Sequence, residues 1–133
     1  MTLTQFIKKY LGQKVDFDKA HGYQCVDLAR AYFDEVLRIP QPPGVDGAKD
    51  LFDNPGCLTA VKESAQTDYS PGDVLIWDAT DKNKYGHVAI LVAIYNTGNF
   101  IVLEQDGFKQ DGVKLAFKTR ENLKGYLWKR QKQ

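Results

Sequence analysis

Two thiols and two imidazoles are the only nucleophile and base candidates of their kinds in this chain: Cys25 and Cys57, His21 and His87. Cys25 follows Gly22-Tyr23-Gln24, where a polar loop gives way to the strongest helical pattern in the sequence. A cysteine at a helix N-terminus faces the positive end of the helix dipole and backbone N–H groups with no intrahelical partner. Both favour thiolate over thiol, the form that attacks a carbonyl. The same N–H groups stabilise an oxyanion as it forms, and Gln24 is placed to donate another hydrogen bond. The competing reading is a small buried hydrophobe. The position of Cys25 in the first turn, after Gly and Gln, favours the reactive one.

His87 opens a run, His-Val-Ala-Ile-Leu-Val-Ala-Ile, that predicts a strand. Gly86 before it leaves room beside the ring for a substrate. His21 is four residues from Cys25 in a polar loop and is the weaker base, because a sheet holds an imidazole rigidly across from a helix. A catalytic imidazole needs a third group to fix its tautomer, and Glu104 and Asp106 are the candidates. Pairing Tyr95 with Phe100 across the Asn96-Thr97-Gly98-Asn99 turn puts Glu104 opposite Leu91 and Asp106 opposite Ala89, both on the His87 face. Unbulged, that register sets Asp106 nearer to His87; a bulge would reverse the order.

The elements that must position these groups divide in two. Thr4 to Leu11 has helical apolar spacing and stops at Gly12. Gln24 to Leu37 is the best helix, ended by Pro40, Pro42, Pro43 and Gly44. A short helix is expected at Asp46 to Phe52, capped by Asp46. After the Pro71-Gly72-Asp73 turn, strands are expected at 74–77, 87–95, 100–105, 113–117 and 126–128. Helices first and antiparallel strands second predict an α+β domain, with the helices on one side of the sheet.

Asp16, Asp18, Ala20, Gly22 and Asp27 fall at positions 1, 3, 5, 7 and 12 of a twelve-residue window, the rhythm of a calcium loop. Three carboxylates and the Ala20 and Gly22 carbonyls make a hard-oxygen ligand set for Ca²⁺. His21 at position 6 and Asp27 at position 12 depart from the EF-hand pattern, and no helix pair flanks the window. A plain polar loop is the competing reading.

A length of 133 residues suits one domain, and 43% apolar with 12% aromatic content suits a packed core. A net charge of +1 argues against nucleic acid as an obligatory partner. No apolar run is long enough to insert in a membrane. The start, MTLTQFIKKYL, lacks a signal peptide's apolar stretch and cleavage site. Two cysteines make no disulfide framework. Trp77, Tyr85, Phe108 and Trp128 are candidates to line a peptide groove.

Taken in order, Gly22-Tyr23-Gln24-Cys25-Val26-Asp27-Leu28, Pro71-Gly72-Asp73, Gly86-His87-Val88-Ala89-Ile90 and Glu104-Gln105 resemble the CHAP family, the cysteine, histidine-dependent amidohydrolases/peptidases. The resemblance is strongest to the catalytic domains of bacteriophage endolysins. It implies a papain-like fold over 1–133, a single domain on its own or within a longer lysin, and cleavage of a muramoyl–L-alanine amide or a stem or cross-bridge peptide bond. It implies Cys25 as nucleophile, His87 as base and Glu104 as orienting acid. Asp106 stands where the family often has asparagine. The acid loop resembles that of some phage CHAP domains that carry calcium there, which implies Ca²⁺ at this one. The resemblance further implies peptidoglycan as partner, a monomer, and an antimicrobial protein made in an infected host cytoplasm and released through holin-type pores. The alternatives from other classes are a calcium-dependent wall-binding module and a phage structural component without catalysis.

Overall fold

Helix α1 (Leu3–Tyr10) starts where Thr2 caps it. The Thr2 hydroxyl accepts the Gln5 N–H at 3.1 Å, and the Gln5 side chain accepts the Thr2 N–H at 2.8 Å. This reciprocal box satisfies two N–H groups that a helix start leaves unpaired. Phe6 is the residue α1 buries, with Ile7 and Tyr10 packed at its margin. The structure is a computed structural model and describes residues 1–19, 22, 24–96 and 98–129.

Helix α2 (Cys25–Tyr32) begins at the expected place but is shorter than its apolar pattern suggested. From Phe33 to Leu37 the backbone widens into a π-helical turn, which keeps Phe33 and Leu37 buried. Arg38, in the left-handed region at φ 56°, ends it. The short helix expected at Asp46 to Phe52 is a 3₁₀ turn over Ala48–Leu51. Gly47, not Asp46, stands at its cap position, and Asp50 accepts the Gly47 N–H at 3.1 Å.

Among the described residues six strands follow: β1 (Thr59–Lys62), β2 (Val74–Trp77), β3 (His87–Asn96), β4 (Asn99–Gln105), β5 (Val113–Thr119) and β6 (Leu123–Trp128). They form one antiparallel sheet in the order β1-β6-β2-β3-β4-β5. The sequence pattern missed β1, whose Thr-Ala-Val-Lys run is short and weakly apolar; pairing with β6 makes it a strand.

Both faces of the sheet are covered. On one, Leu28, Ala29, Tyr32 and Phe33 of the helical layer pack on Val74, Ile76, Val88, Ile90, Leu103 and Leu127. On the other, Leu75, Trp77, Ala89, Leu91, Phe100, Val102 and Tyr126 form a second cluster with Tyr69. Burial on both sides explains why β2 reads Val-Leu-Ile-Trp without alternation. Among the described residues, no helix is long and apolar enough to cross a membrane.

Two bulges on β3 decide where β4 delivers its side chains. The pairing runs Asn96 with Asn99, Ile94 with Phe100, Ala93 with Ile101, then Leu91 with Val102 and Ile90 with Leu103. Each irregularity advances the register by one residue. Carried one step further, it sets Glu104 opposite Ala89 rather than Leu91.

Candidate active site

The N-terminus of α2, the start of β3 and the end of β4 meet at one end of the sheet. Cys25, the first residue of α2, is half-buried, and its sulfur is a free thiol; Cys57 is also free, on the exposed surface. The Cys25 thiol lies beside the imidazole of His87, the first residue of β3, close enough to act on it by hydrogen bonding and charge. His87 Nε2 lies 3.0 Å from Glu104 Oε1, which leaves Nδ1 for the sulfur. The result is a relay of sulfur, imidazole and carboxylate contributed by three elements.

Glu104 is 4% exposed and has a second cation beside it, Lys118 Nζ at 3.3 Å. Burial works against its charge, but the hydrogen bond and charge of His87, helped by Lys118, hold its carboxyl below the ordinary carboxylate range. For His87 burial likewise disfavours the charged ring. Hydrogen bonds and charge from Cys25 and Glu104 outweigh it and raise the pKa to about 9. The Trp77 ring lies against the imidazole, centroids 5.9 Å apart.

Asp106 is not the carboxylate on His87. Strand β4 ends at Gln105, so Asp106 has already left the sheet and entered a turn. Its Oδ1 accepts the Phe108 N–H at 2.8 Å, and its carbonyl accepts the Gln110 N–H at 3.0 Å. Glu104 is diagonal to His87 across the pair, within reach of a long side chain. The unbulged register erred by treating β3 as regular and β4 as longer than it is.

Gln24 occupies the cap position of α2; its N–H donates to Asp27 Oδ2 at 2.9 Å. Gln24 and Asp106 line a cleft of about 390 Å³ together with Cys25, His87, Tyr85 and Phe108. A second cleft, about 540 Å³, also lined by His87, runs along Trp77 and Lys118. Of the four aromatic groove candidates, Tyr85 and Phe108 reach the first cleft and Trp77 the second. Trp128 lines neither and packs against the second core cluster.

Gly86 lines both clefts beside His87, and a second reason for glycine there is steric. It has φ +73°, and a Cβ there would lie 2.4 Å from the Trp77 carbonyl and 2.8 Å from Lys49 Cβ. Asn83 beside it donates to the Gly86 carbonyl at 2.8 Å and lines both clefts. Lys118 escaped the sequence reading because only the folded chain brings it to Glu104, and Asn83, four residues before His87, because no motif marked it.

Next to the cleft, the carboxylates of Asp16, Asp18 and Asp27 lie within 4.8 Å of one another. Asp16 Oδ1 is buried with no hydrogen-bond partner. Asp27 is 2% exposed, and its pKa is pushed up to about 6, first by burial and in part by the charge of Asp18. An orphaned buried oxygen and crowded negative charge fit a hard divalent cation. Gly22 turns the loop at φ +76°; Ala20 and His21 lie outside the described residues.

The sequence profile of the CHAP domain matches residues 15–106. Endolysin PlyTW of Staphylococcus phage Twort (strain DSM 17442 / HER 48) is 34% identical over 92 residues, which cover 65% of this chain and 19% of that protein. The crystal structure of a wild-type endolysin LysIME-EF1 superposes with TM-score 0.67 at 18% identity, over 96% of this chain and 63% of that one. That of Ly7917 gives TM-score 0.70 at 18% identity, over 96% and 62%. A second Ly7917 structure, with the hydrolyzing product of MDP, gives 0.68 at 18%, over 92% and 59%. This chain thus spans about a fifth of the curated relative and about three fifths of the solved chains. The structural likeness fixes the fold as α+β and papain-like.

Proposed function

This chain belongs to the CHAP domain family, and we propose that it is a cysteine-dependent hydrolase of bacterial peptidoglycan, cutting an amide or peptide bond through an acyl-enzyme. The observation that carries the reading is the relay Cys25–His87–Glu104 at the wall of an open cleft. The family and the phage endolysin relative support the substrate class.

In this reading His87 is protonated at neutral pH, since its pKa is about 9. An imidazolium is the counter-ion beside which a thiolate nucleophile works. The Cys25 thiolate attacks the carbonyl carbon, and the N–H groups at the start of α2, with Gln24, face the oxyanion. His87 then gives its proton to the leaving amine, and the amide bond breaks. Neutral His87 takes a proton from water, the hydroxide attacks the thioester, and Cys25 is released. Glu104 holds the ring in register and stabilises its charge throughout. Tyr85 and Phe108 offer apolar contact to the substrate at the mouth of the cleft.

Asp16, Asp18 and Asp27 would hold Ca²⁺, with the Gly22 carbonyl and that of Ala20, which lies outside the described residues, supplying much of the rest of the shell. The ion would order the segment that leads into α2 and the nucleophile. Release from an infected host cell to the wall belongs to the same reading.

The test is digestion of purified peptidoglycan by wild type and Cys25→Ala, with mass spectrometry of the soluble fragments. Fragments from wild type alone are expected. New peptide N-termini identify an endopeptidase, and free lactyl carboxyls an amidase. Equal release by both proteins, or by neither, refutes the reading.

A further inference from the structure

Gln105 follows Glu104 on β4 and is fully buried. Its Oε1 accepts the Val15 N–H at 2.8 Å. Its Nε2 donates to the Val15 carbonyl at 2.7 Å and to the Gln24 carbonyl at 2.8 Å. One planar amide therefore grips the backbone at two points: immediately before Asp16, where the acid loop begins, and immediately before Cys25.

The second grip bears on the chemistry. The Gln24 carbonyl and the Cys25 N–H belong to one rigid peptide plane. Holding the oxygen fixes the direction of that N–H and the position of the Cys25 Cα from which the sulfur-bearing side chain springs. Alternation on β4 adds a geometric constraint: consecutive residues point to opposite faces. Glu104 reaches one way to the imidazole, while Gln105 reaches the other way to the nucleophile's backbone. A single stretch of strand thus sets both partners of the relay. An apolar side chain of the same length would fill the space without an amide to desolvate, so packing alone does not call for a glutamine.

We propose that Gln105 is a positioning residue that, by clamping the Gln24–Cys25 peptide and Val15 to β4, sets the sulfur against His87 and aims the Cys25 N–H at the oxyanion. The oxyanion part rests on the hydrolase reading above; the sulfur part does not.

The test uses Gln105→Met and Gln105→Glu in a Cys57→Ser parent, so that Cys25 is the only thiol. Methionine keeps the length and loses all three hydrogen bonds. Glutamate keeps the shape and the acceptor for Val15 but, when ionised, loses both donors. At pH 7 the rate of Cys25 alkylation by iodoacetamide is expected to fall about 10- to 100-fold in both, the scale of a misplaced reacting group. On peptidoglycan kcat falls by a similar factor while KM stays within about twofold. A folded Gln105→Met whose alkylation rate and kcat stay within about twofold of the parent overturns the proposal. If neither variant folds, NMR of the ¹⁵N-labelled parent decides: alkylating Cys25 must shift the Gln105 side-chain NH₂ signals, and unmoved signals overturn it. A parent that alkylates rapidly, slows on substitution and yet releases no wall fragments sinks the hydrolase reading while the positioning role stands.

Discussion

Replacing Glu104 by glutamine removes one charge from the relay while keeping its shape. The amide oxygen of the substituted side chain still accepts from the ring, so orientation survives and electrostatics do not. A neighbouring opposite charge moves a pKa by about 1–3 units, so the His87 pKa should drop by that amount from about 9. Losing the orienting carboxylate of such a relay lowers kcat by roughly 10²–10⁴-fold, or ~3–5 kcal/mol of transition-state stabilisation. Stability changes in a defined window. The folded-state pKa lies above the ordinary 6.5, so the contribution of His87 is complete below about pH 6.5 and is lost as pH climbs through about 9. The difference of roughly 2.5 units corresponds to at most about 3 kcal/mol. Urea denaturation of wild type should therefore show stability falling between pH 6.5 and 9, and Glu104→Gln should flatten that slope. NMR titration of the imidazole gives the pKa directly, and turbidity loss of wall suspensions gives kcat. Lys118 is about one-third exposed and regains water in the variant, so it adds little cost. A variant with kcat within about threefold of wild type and an unmoved His87 titration would refute the assignment of Glu104.

Three further outcomes follow from particular contacts. Asp106→Asn keeps an oxygen acceptor for the Phe108 N–H in an exposed turn, so it should leave the His87 titration unmoved and change stability in urea denaturation by less than about 1 kcal/mol; a shifted His87 pKa would contradict that placement. Gly86→Ala combines a left-handed backbone with a Cβ 2.4 Å from the Trp77 carbonyl, so a loss of ~2–3 kcal/mol is expected by the same measurement. Calcium at about a hundred times its Kd should stabilise wild type by ~2.7 kcal/mol; the shift in Tm should vanish in Asp27→Ala, and an equal shift in both proteins would place the ion elsewhere.

The groups available for chemistry, and the elements that bear them, were legible before any coordinates. Gly-Tyr-Gln-Cys ahead of a helical pattern marks Cys25 as a helix-tip thiol, and the β-branched run after His87 marks a strand, because both signals are local. The spacing of Asp16, Asp18 and Asp27 was legible for the same reason: one short stretch, a loop and the first turn of α2, carries them all. The choice between Glu104 and Asp106 was not local. It depended on two bulges in β3 and on β4 stopping at Gln105, and a register read from one turn accumulates every such irregularity. Folding also sets what burial does to charge. Only the folded chain seals Glu104 beside His87 and Lys118, and only there does the balance of desolvation and pairing raise the imidazole pKa. The grip of Gln105 on Val15 and Gln24 spans 90 and 81 residues of sequence, a separation across which no local pattern carries information.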